Sequence, residues 1–487
     1  MANVTFPFPF PDHLITLLPE MIVAVLAMTL LLVDLFISKE NKIWTAYMAV
    51  ITIVVAAIAT IQLYPVGSIE AFYGFFVFDP FAAFSKLLLF AATAISILIS
   101  IDYMKDENHV GEYYVLMLFA MLGMMLMISA TNFIILYLGM ELMALCTYVL
   151  VGYQREVLRS NEAALKYFIL GALSSGMLLY GITFLYGVSG SFDYSDVGAA
   201  LHATGNASDP AVLLGLVFLL AGLAFKVSMA PFHMWTPDAY EGAPTPITAF
   251  MSVAPKVAGF VVIVRVAVDA LPAMQTEYMT ILTGMAILTM AIGNLAAIAQ
   301  RNIKRMLAYS TVGHVGFVVL GVIAGNADGY AGILVYLSIY MVMTLGIFAI
   351  IILMRREGIQ GELLDDFAGL SKVRPGYALA MGLFLFSLGG IPFLAGFWAK
   401  YAVFIAAIEA GHVYLVLYAL LFSAVGAFYY IRVVKYIYFD EARVTFEFTE
   451  SRVMQATVAI TAVAIVALGL YPDPLMDACK AAVVGLI

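Results

Sequence analysis

The sequence predicts an all-α polytopic membrane protein of about fourteen spans, with two inverted five-helix repeats and a broken helix in each. Three observations carry this. Apolar runs of about twenty residues recur along the chain, the length a helix needs to cross a bilayer. Charge is scarce: 11% of the 487 residues are Asp, Glu, Lys or Arg, 64% are hydrophobic, and mean hydropathy is +1.02. Soluble domains carry roughly 25% charged residues. Finally, two of the runs are interrupted by proline or glycine beside a lysine.

The short alternating segments of a β-barrel are absent. The net charge of −9 comes mostly from acidic loops and gives no reason to expect nucleic-acid binding. Cys146 and Cys479 are too far apart in sequence for a disulfide framework or a metal knuckle. Met1 to Asp12 lack a basic n-region, so no cleaved signal peptide is expected.

The predicted spans are 14–36, 43–65, 78–101, 113–130, 132–152, 162–187, 211–230, 246–270, 276–298, 304–324, 329–354, 377–407, 412–438 and 453–471. They divide the chain into an N-terminal unit (1–112), a first repeat (113–270, spans 4–8), a second repeat (271–438, spans 9–13) and a C-terminal helix with its tail (439–487). The basic residues test the count. With the N-terminus outside, the loops on the cytoplasmic side hold Lys39, Lys42, Lys105, Arg155, Arg159, Arg301, Lys304, Arg305, Arg355, Arg356, Lys372, Arg374, Arg432, Lys435, Arg443 and Arg452. The outer loops, including the acidic 188–210 segment, hold neither Lys nor Arg, and only Lys480 in the tail falls outside. Such a bias orients the chain with both termini on the outer side, the periplasm of a bacterium.

Six cations remain inside the spans: Lys86, Lys166, Lys226, Lys256, Arg265 and Lys400. Arg265 reads as an anchor snorkelling to the outer interface. Lys166, near the cytoplasmic end of its span, can snorkel too and is kept as a candidate. No partner for Lys86 is evident. Lys226, Lys256 and Lys400 lie deeper, where a charge is expensive and usually functional. Lys226 closes an apolar run just before Pro231 and Pro237; Lys256 follows Pro255; Lys400 follows Gly389, Gly390 and Pro392. Unwound backbone at that depth is tolerated only against protein or a water-filled cavity. Two breaks five spans apart point to internal repeats. Five is odd, so the repeats enter the membrane from opposite faces.

Glu141 is the acidic counterpart, in the middle of an otherwise apolar span, where a carboxylate must be protonated, hydrated or paired. Glu20, near the outer part of the first span, is a weaker candidate, the alternative being that it simply faces water. His314, mid-span in the tenth helix, is a candidate relay among these groups. A lysine taken out of water holds its proton less tightly, and a nearby carboxylate restores the hold. A Glu141–Lys226 pair is therefore expected to act as a switch, with Lys256 and His314 passing the proton toward Lys400. No phosphate loop, Cys/His metal spacing or nucleophile–base motif appears, so no cofactor and no redox chemistry are expected within this chain.

The segment Lys226 to Pro246, continuing to Pro255 and Lys256, resembles the signature of the antiporter-like proton-pumping subunits of respiratory complex I, a family shared with cation/proton antiporter complexes and membrane-bound hydrogenases. Asn302–Ser310 and Asp366–Leu370 resemble it as well, and the likeness covers roughly spans 3 to 14. Within the family the chain is similar to the N type. Ala395–Lys400 ends in lysine where the M type carries glutamate, Arg159–Phe168 matches the N-type start of the sixth span, and no long lateral helix follows as in the L type. Ala399 stands where the family usually has glycine, which leaves the lysine in place.

The resemblance implies roles: Glu141 as acidic partner, Lys226 as switching lysine, Lys256 as connecting lysine and Lys400 as exit lysine. It implies NADH and quinone used elsewhere in a larger complex, and as partners the M-type subunit, small core membrane subunits and the lipid bilayer of a bacterial inner membrane. Two other readings are a subunit of a cation/proton antiporter or membrane-bound hydrogenase, and a spacer whose charges only fix packing.

Overall fold

The computed structural model describes residues 14–105, 110–204, 209–355, 361–441 and 451–486. Arg356 and Arg443 of the sidedness argument, and the segment Met1 to Asp12, lie outside them. The helices are α1 (Leu18–Asp34), α2 (Ile43–Gln62), α3 (Pro80–Ser100), α4 (Val110–Ser129), α5 (Phe133–Val151), α6 (Leu158–Ser189), α7 (Tyr194–Thr204), α8 (Pro210–Val227), α9 (Trp235–Gly242), α10 (Thr245–Arg265), α11 (Gln275–Ile298), α12 (Ile303–Ala324), α13 (Ala327–Leu353), α14 (Pro375–Gly389), α15 (Ala395–Glu409), α16 (Val413–Phe439), α17 (Arg452–Leu470) and α18 (Asp473–Val483).

Among the described residues, twelve helical segments are long and apolar enough to cross a membrane. The two remaining predicted spans are α1, slightly short at 17 residues, and the interrupted pair α14 and α15. Many spans begin on a side chain suited to the task. Asp79, Asn132, Asp209, Asn302, Asn326 and Ser451 each accept from a backbone N–H of the first turn that follows, which satisfies a donor the helix leaves unpaired.

The interior is built on α10, α12 and α13, which are apolar all round and buried along nearly their whole length. α10 packs against α3, α4, α8 and α13; α15 packs against α12 and α13. α11 and α12 approach closely at Gly293, where a Cβ would lie 2.3 Å from Gly313 N. One feature departs from an all-helical chain: Ile69–Ala71 and Phe76–Phe78 form a small antiparallel hairpin, with Ile69 opposite Phe78. The loop and tail also contain the short helices α7 and α18.

The two breaks close in the same way. After α8, Ser228 N bonds Phe225 O (3.1 Å) and Met229 N bonds Ala224 O (2.8 Å), with Ser228 at φ +68°. After α14, Gly390 N bonds Ser387 O (2.9 Å) and Ile391 N bonds Phe386 O (3.1 Å), with Gly390 at φ +84°. Both are Schellman ends, with a left-handed residue just past the last helical turn. The peptide between Ala230 and Pro231 is cis.

Four sequence expectations are corrected. Arg265 does not snorkel: it is 3% exposed and donates to both Asp79 carboxylate oxygens at 3.0 and 2.9 Å. Lys86 has a partner, Glu20 Oε1 at 2.6 Å, and stands over the hairpin rings of Phe76 and Phe78. Glu20 therefore does not face water; it is 2% exposed. Lys304 is no loop cation but the buried second residue of α12. In each case the partner comes from a remote part of the chain, and pairing makes burial tolerable.

Asp79 caps α3 and binds Arg265 of α10, so it ties two central helices together. Replacing Arg265 by Met is expected to destabilise the protein by about 3–5 kcal/mol, because it strands a buried carboxylate. Adding Asp79→Asn should recover much of that loss, as read by thermal denaturation of the detergent-solubilised protein.

Candidate functional site

α8 carries Lys226 to the edge of the first break. Its Nζ is buried and has no hydrogen-bond partner among the described residues; the ring of Phe225 lies 5.7 Å away. Trp235 of α9 donates from Nε1 to Phe225 O (2.9 Å) and stacks on Tyr167, fixing the turn around the lysine. Glu141 sits on α5, half-buried, and its Oε1 has no hydrogen-bond partner among the described residues. The two groups form neither an ion pair nor a hydrogen bond with each other. Ser175, Ser228 and Thr236, from α6, the break and α9, also hold buried hydroxyls without a partner among the described residues. A group of unpaired polar atoms inside a protein takes water as its partner.

Lys256 is held differently. Pro255 has no N–H, so the carbonyl four residues earlier, Met251 O, lacks its usual donor. Two side chains take it: Lys256 Nζ at 3.0 Å and Tyr240 OH at 3.1 Å. Lys256 also donates to Tyr240 OH at 2.6 Å and lies 5.2 Å from the Trp235 ring.

Beyond Lys256 a small void lined by Thr311, His314, Tyr336 and Tyr340 has room for about one water molecule. His314 closes its far side. Its Nδ1 meets Tyr336 OH at 2.7 Å and its Nε2 meets Tyr430 OH at 2.9 Å. Tyr430 OH in turn lies 2.5 Å from Ser310 Oγ, and Thr311 Oγ1 lies 2.8 Å from Tyr340 OH. A second small void, bounded by Ser310, Thr311, Tyr340 and Thr344, reaches Leu388 at the second break.

At that break Lys400 donates to Gly389 O (2.9 Å), a carbonyl freed by the end of α14, and to Ser423 Oγ (2.8 Å). Gly390 is required by both its φ and its space, since a Cβ there would lie 3.0 Å from Lys400 Nζ. The structure thus brings Lys256 and His314 to one void and sets Lys226, Lys256 and Lys400 beside interrupted helices, with Glu141 half-buried on α5. It sets Lys166 apart. That side chain is 47% exposed and pairs with Glu162 (2.8 Å) and Asp238 (3.0 Å).

Lys166 belongs instead to a charged cluster around α9. Arg305 bonds Asp238 and Glu241; Arg159 bonds Glu362 and the carbonyl of Glu241; Lys304 bonds Glu362 (3.0 Å) and Ala243 O (2.7 Å). Burial opposes ionisation of Glu362, but Lys304 and Arg159 outweigh it and hold the carboxyl below the usual carboxylate value. α9 is thereby fastened at its C-terminal end.

Residues 130–426 match the family described as NADH:quinone oxidoreductase/Mrp antiporter, TM. The chain belongs to that family. It is 43% identical to the NADH-quinone oxidoreductase subunit N of Herminiimonas arsenicoxydans, over 97% of this chain and 98% of that one. It is 46% identical to NADH-quinone oxidoreductase subunit N 2 of Rhizobium meliloti, over 93% and 94%. A chain of respiratory complex I from Thermus thermophilus with bound Aureothin superposes with TM-score 0.83 at 31% identity, covering 95% of this chain and 99% of that chain. On this family fold the hydroxyl-bearing residues were missed from sequence. A tyrosine inside an apolar run looks like core, although Tyr336 and Tyr340, four residues apart, already share a helix face.

Two tyrosine hydroxyls meet His314. Replacing it by Leu leaves the Tyr336 hydroxyl buried without that partner, which costs roughly 1–3 kcal/mol, while Tyr430 keeps Ser310 Oγ at 2.5 Å. His314→Leu is therefore expected to lower thermal stability more than His314→Gln, which still hydrogen-bonds. Melting curves of the two variants check this.

Proposed function

We propose that this chain is the N-type, proton-translocating membrane subunit of an NADH–quinone oxidoreductase, a subunit of an enzyme complex. The supporting observation is the row of deep cations, Lys226, Lys256 and Lys400, of which two have only neutral hydrogen-bond partners and none has a carboxylate ion pair among the described residues. Such a cation can give up its proton without stranding an opposite charge in a dry interior. The family and the names of its relatives support the rest, a bacterial inner-membrane complex with other membrane subunits as partners, to which the resemblance adds an M-type subunit.

In this reading Glu141 tunes Lys226 at the first break. Lys226 hands a proton toward Lys256, which passes it through one water to His314 and its tyrosines, and so to Lys400 at the second break. Lys166 acts from the edge by holding Asp238, and with it the segment that follows Lys226. Oxidation of NADH and reduction of quinone take place elsewhere in the complex. The inverted repeats are residues 113–270 and 271–438, with 1–112 and 439–487 flanking them. The matching Schellman ends of α8 and α14 support that division. Both termini are placed on the periplasmic side in this reading, which the lysine and arginine bias supports.

Lys400→Ala is expected to reduce NADH-driven proton uptake and quinone reductase activity together in reconstituted vesicles, because the track loses its terminal acceptor. Glu141→Gln should lower both as well, while assembly persists. Wild-type rates of both proton uptake and quinone reduction in the two assembled variants would sink the track. Proton movement driven by an imposed cation gradient, independent of NADH and quinone, would favour the antiporter alternative.

A further inference from the structure

We propose that Tyr240 is the positioning residue that governs when Lys256 holds its proton, by exchanging one hydrogen bond across the interruption in α10. The inference rests on the reading of Lys256 as a proton carrier. Three atoms form a closed set: Lys256 Nζ, Tyr240 OH and Met251 O, with contacts of 2.6, 3.0 and 3.1 Å. All three residues are at most 1% exposed. The ammonium has only donors, so against a charged Lys256 the phenol must accept, and its own hydrogen points to Met251 O. When Lys256 passes its proton to His314, by way of a water in the void between them, the amine nitrogen gains a lone pair. The Tyr240 hydrogen can then turn from Met251 O to that nitrogen. Tyr240 keeps its proton throughout; one hydrogen bond changes acceptor, and one proton leaves on the side of His314.

Pro255 is what makes this possible, because a regular helix would have committed Met251 O to the backbone. Tyr240 is fixed for the role. Its carbonyl accepts from Thr248 Oγ1 at 2.8 Å, and its ring stands edge-on to Trp235, the residue that caps the helix bearing Lys226. The other titratable groups facing Lys256 are His314 from α12 and Tyr336 and Tyr340 from α13, all across the void. Among the described residues none from α3, α4, α5 or α8 hydrogen-bonds to it.

The test uses membrane vesicles containing the whole oxidoreductase, with NADH-driven proton uptake measured against pH. Tyr240→Phe keeps the ring and removes one of the two acceptors of the charged lysine. The alkaline limb of the profile is expected to move to lower pH by about one unit. Pro255→Ala supplies an N–H that competes for Met251 O, and should move the limb in the same direction. A Tyr240→Phe profile that superimposes on wild type, or that falls evenly at every pH, overturns the inference. If Tyr240→Phe does not assemble, Pro255→Ala decides by the same shift or its absence. Lys256→Met separates the two layers. Loss of uptake there upholds the carrier reading whatever Tyr240 does, and unchanged uptake sinks both.

Discussion

A lysine buried in a helix bundle needs acceptors, and a helix has spare carbonyls only where it is interrupted. This constraint links the breaks to the cations. Lys256 takes Met251 O, freed by Pro255; Lys400 takes Gly389 O, freed by the end of α14; Lys304 takes Ala243 O, just past the end of α9. Each interruption exposes a polar backbone group that hydrocarbon would not tolerate, and each cation would be costly without it. Break and lysine are two halves of one solution. Lys226 is the exception. The donors near it, Ser228 N, Met229 N and Trp235 Nε1, already occupy the carbonyls of Phe225 and Ala224, so the ammonium has no hydrogen-bond partner among the described residues. Of the deep lysines it is the one least held by protein.

The buried charges fall into two kinds. Glu20 with Lys86, Asp79 with Arg265 and Glu362 with Lys304 and Arg159 are ion pairs at 3.0 Å or less. Removing one member strands the other, so these pairs serve as fasteners between distant helices. Lys256, His314 and Lys400 have only neutral partners: phenols, a serine and carbonyls. A neutral partner can accept from the charged form, and a hydroxyl can turn to donate to the neutral one. The capacity to exchange a proton therefore follows from the type of partner more than from depth.

That distinction marks what the sequence made legible. The spans, the two breaks and the deep lysines follow from hydropathy, proline and glycine positions and the sidedness of Lys and Arg. Which cations are fastened does not. Asp79 and Arg265 are 186 residues apart, Arg159 and Glu362 203, and His314 and Tyr430 116. No local period connects such positions, so Arg265 read as a snorkelling anchor and Lys304 as a loop charge. Tyr240, Tyr430 and Ser423 were invisible for a related reason. Each looks apolar or neutral in its own segment and becomes polar machinery only when a lysine or histidine from another helix arrives. The small hairpin was hidden in a loop, since its strands of three residues are too short to show alternation.

The segment between Lys226 and Lys256 is held more firmly than its broken backbone suggests. Near its start Trp235 donates to Phe225 O. At its end Arg159 and Lys304 donate to the carbonyls of Glu241 and Ala243, and Glu362 holds both cations. Along its length Asp238 and Glu241 are tied to Arg305. A helix of eight residues has little cohesion of its own, so these bonds decide its position. Moving it as a body would break several charge-assisted bonds at once, each among the stronger kinds available. Reorienting a hydroxyl or a water breaks at most one. The proposed proton exchange along this track therefore calls on side chains over a fixed frame, with the broken helix serving as the part of the frame that presents them.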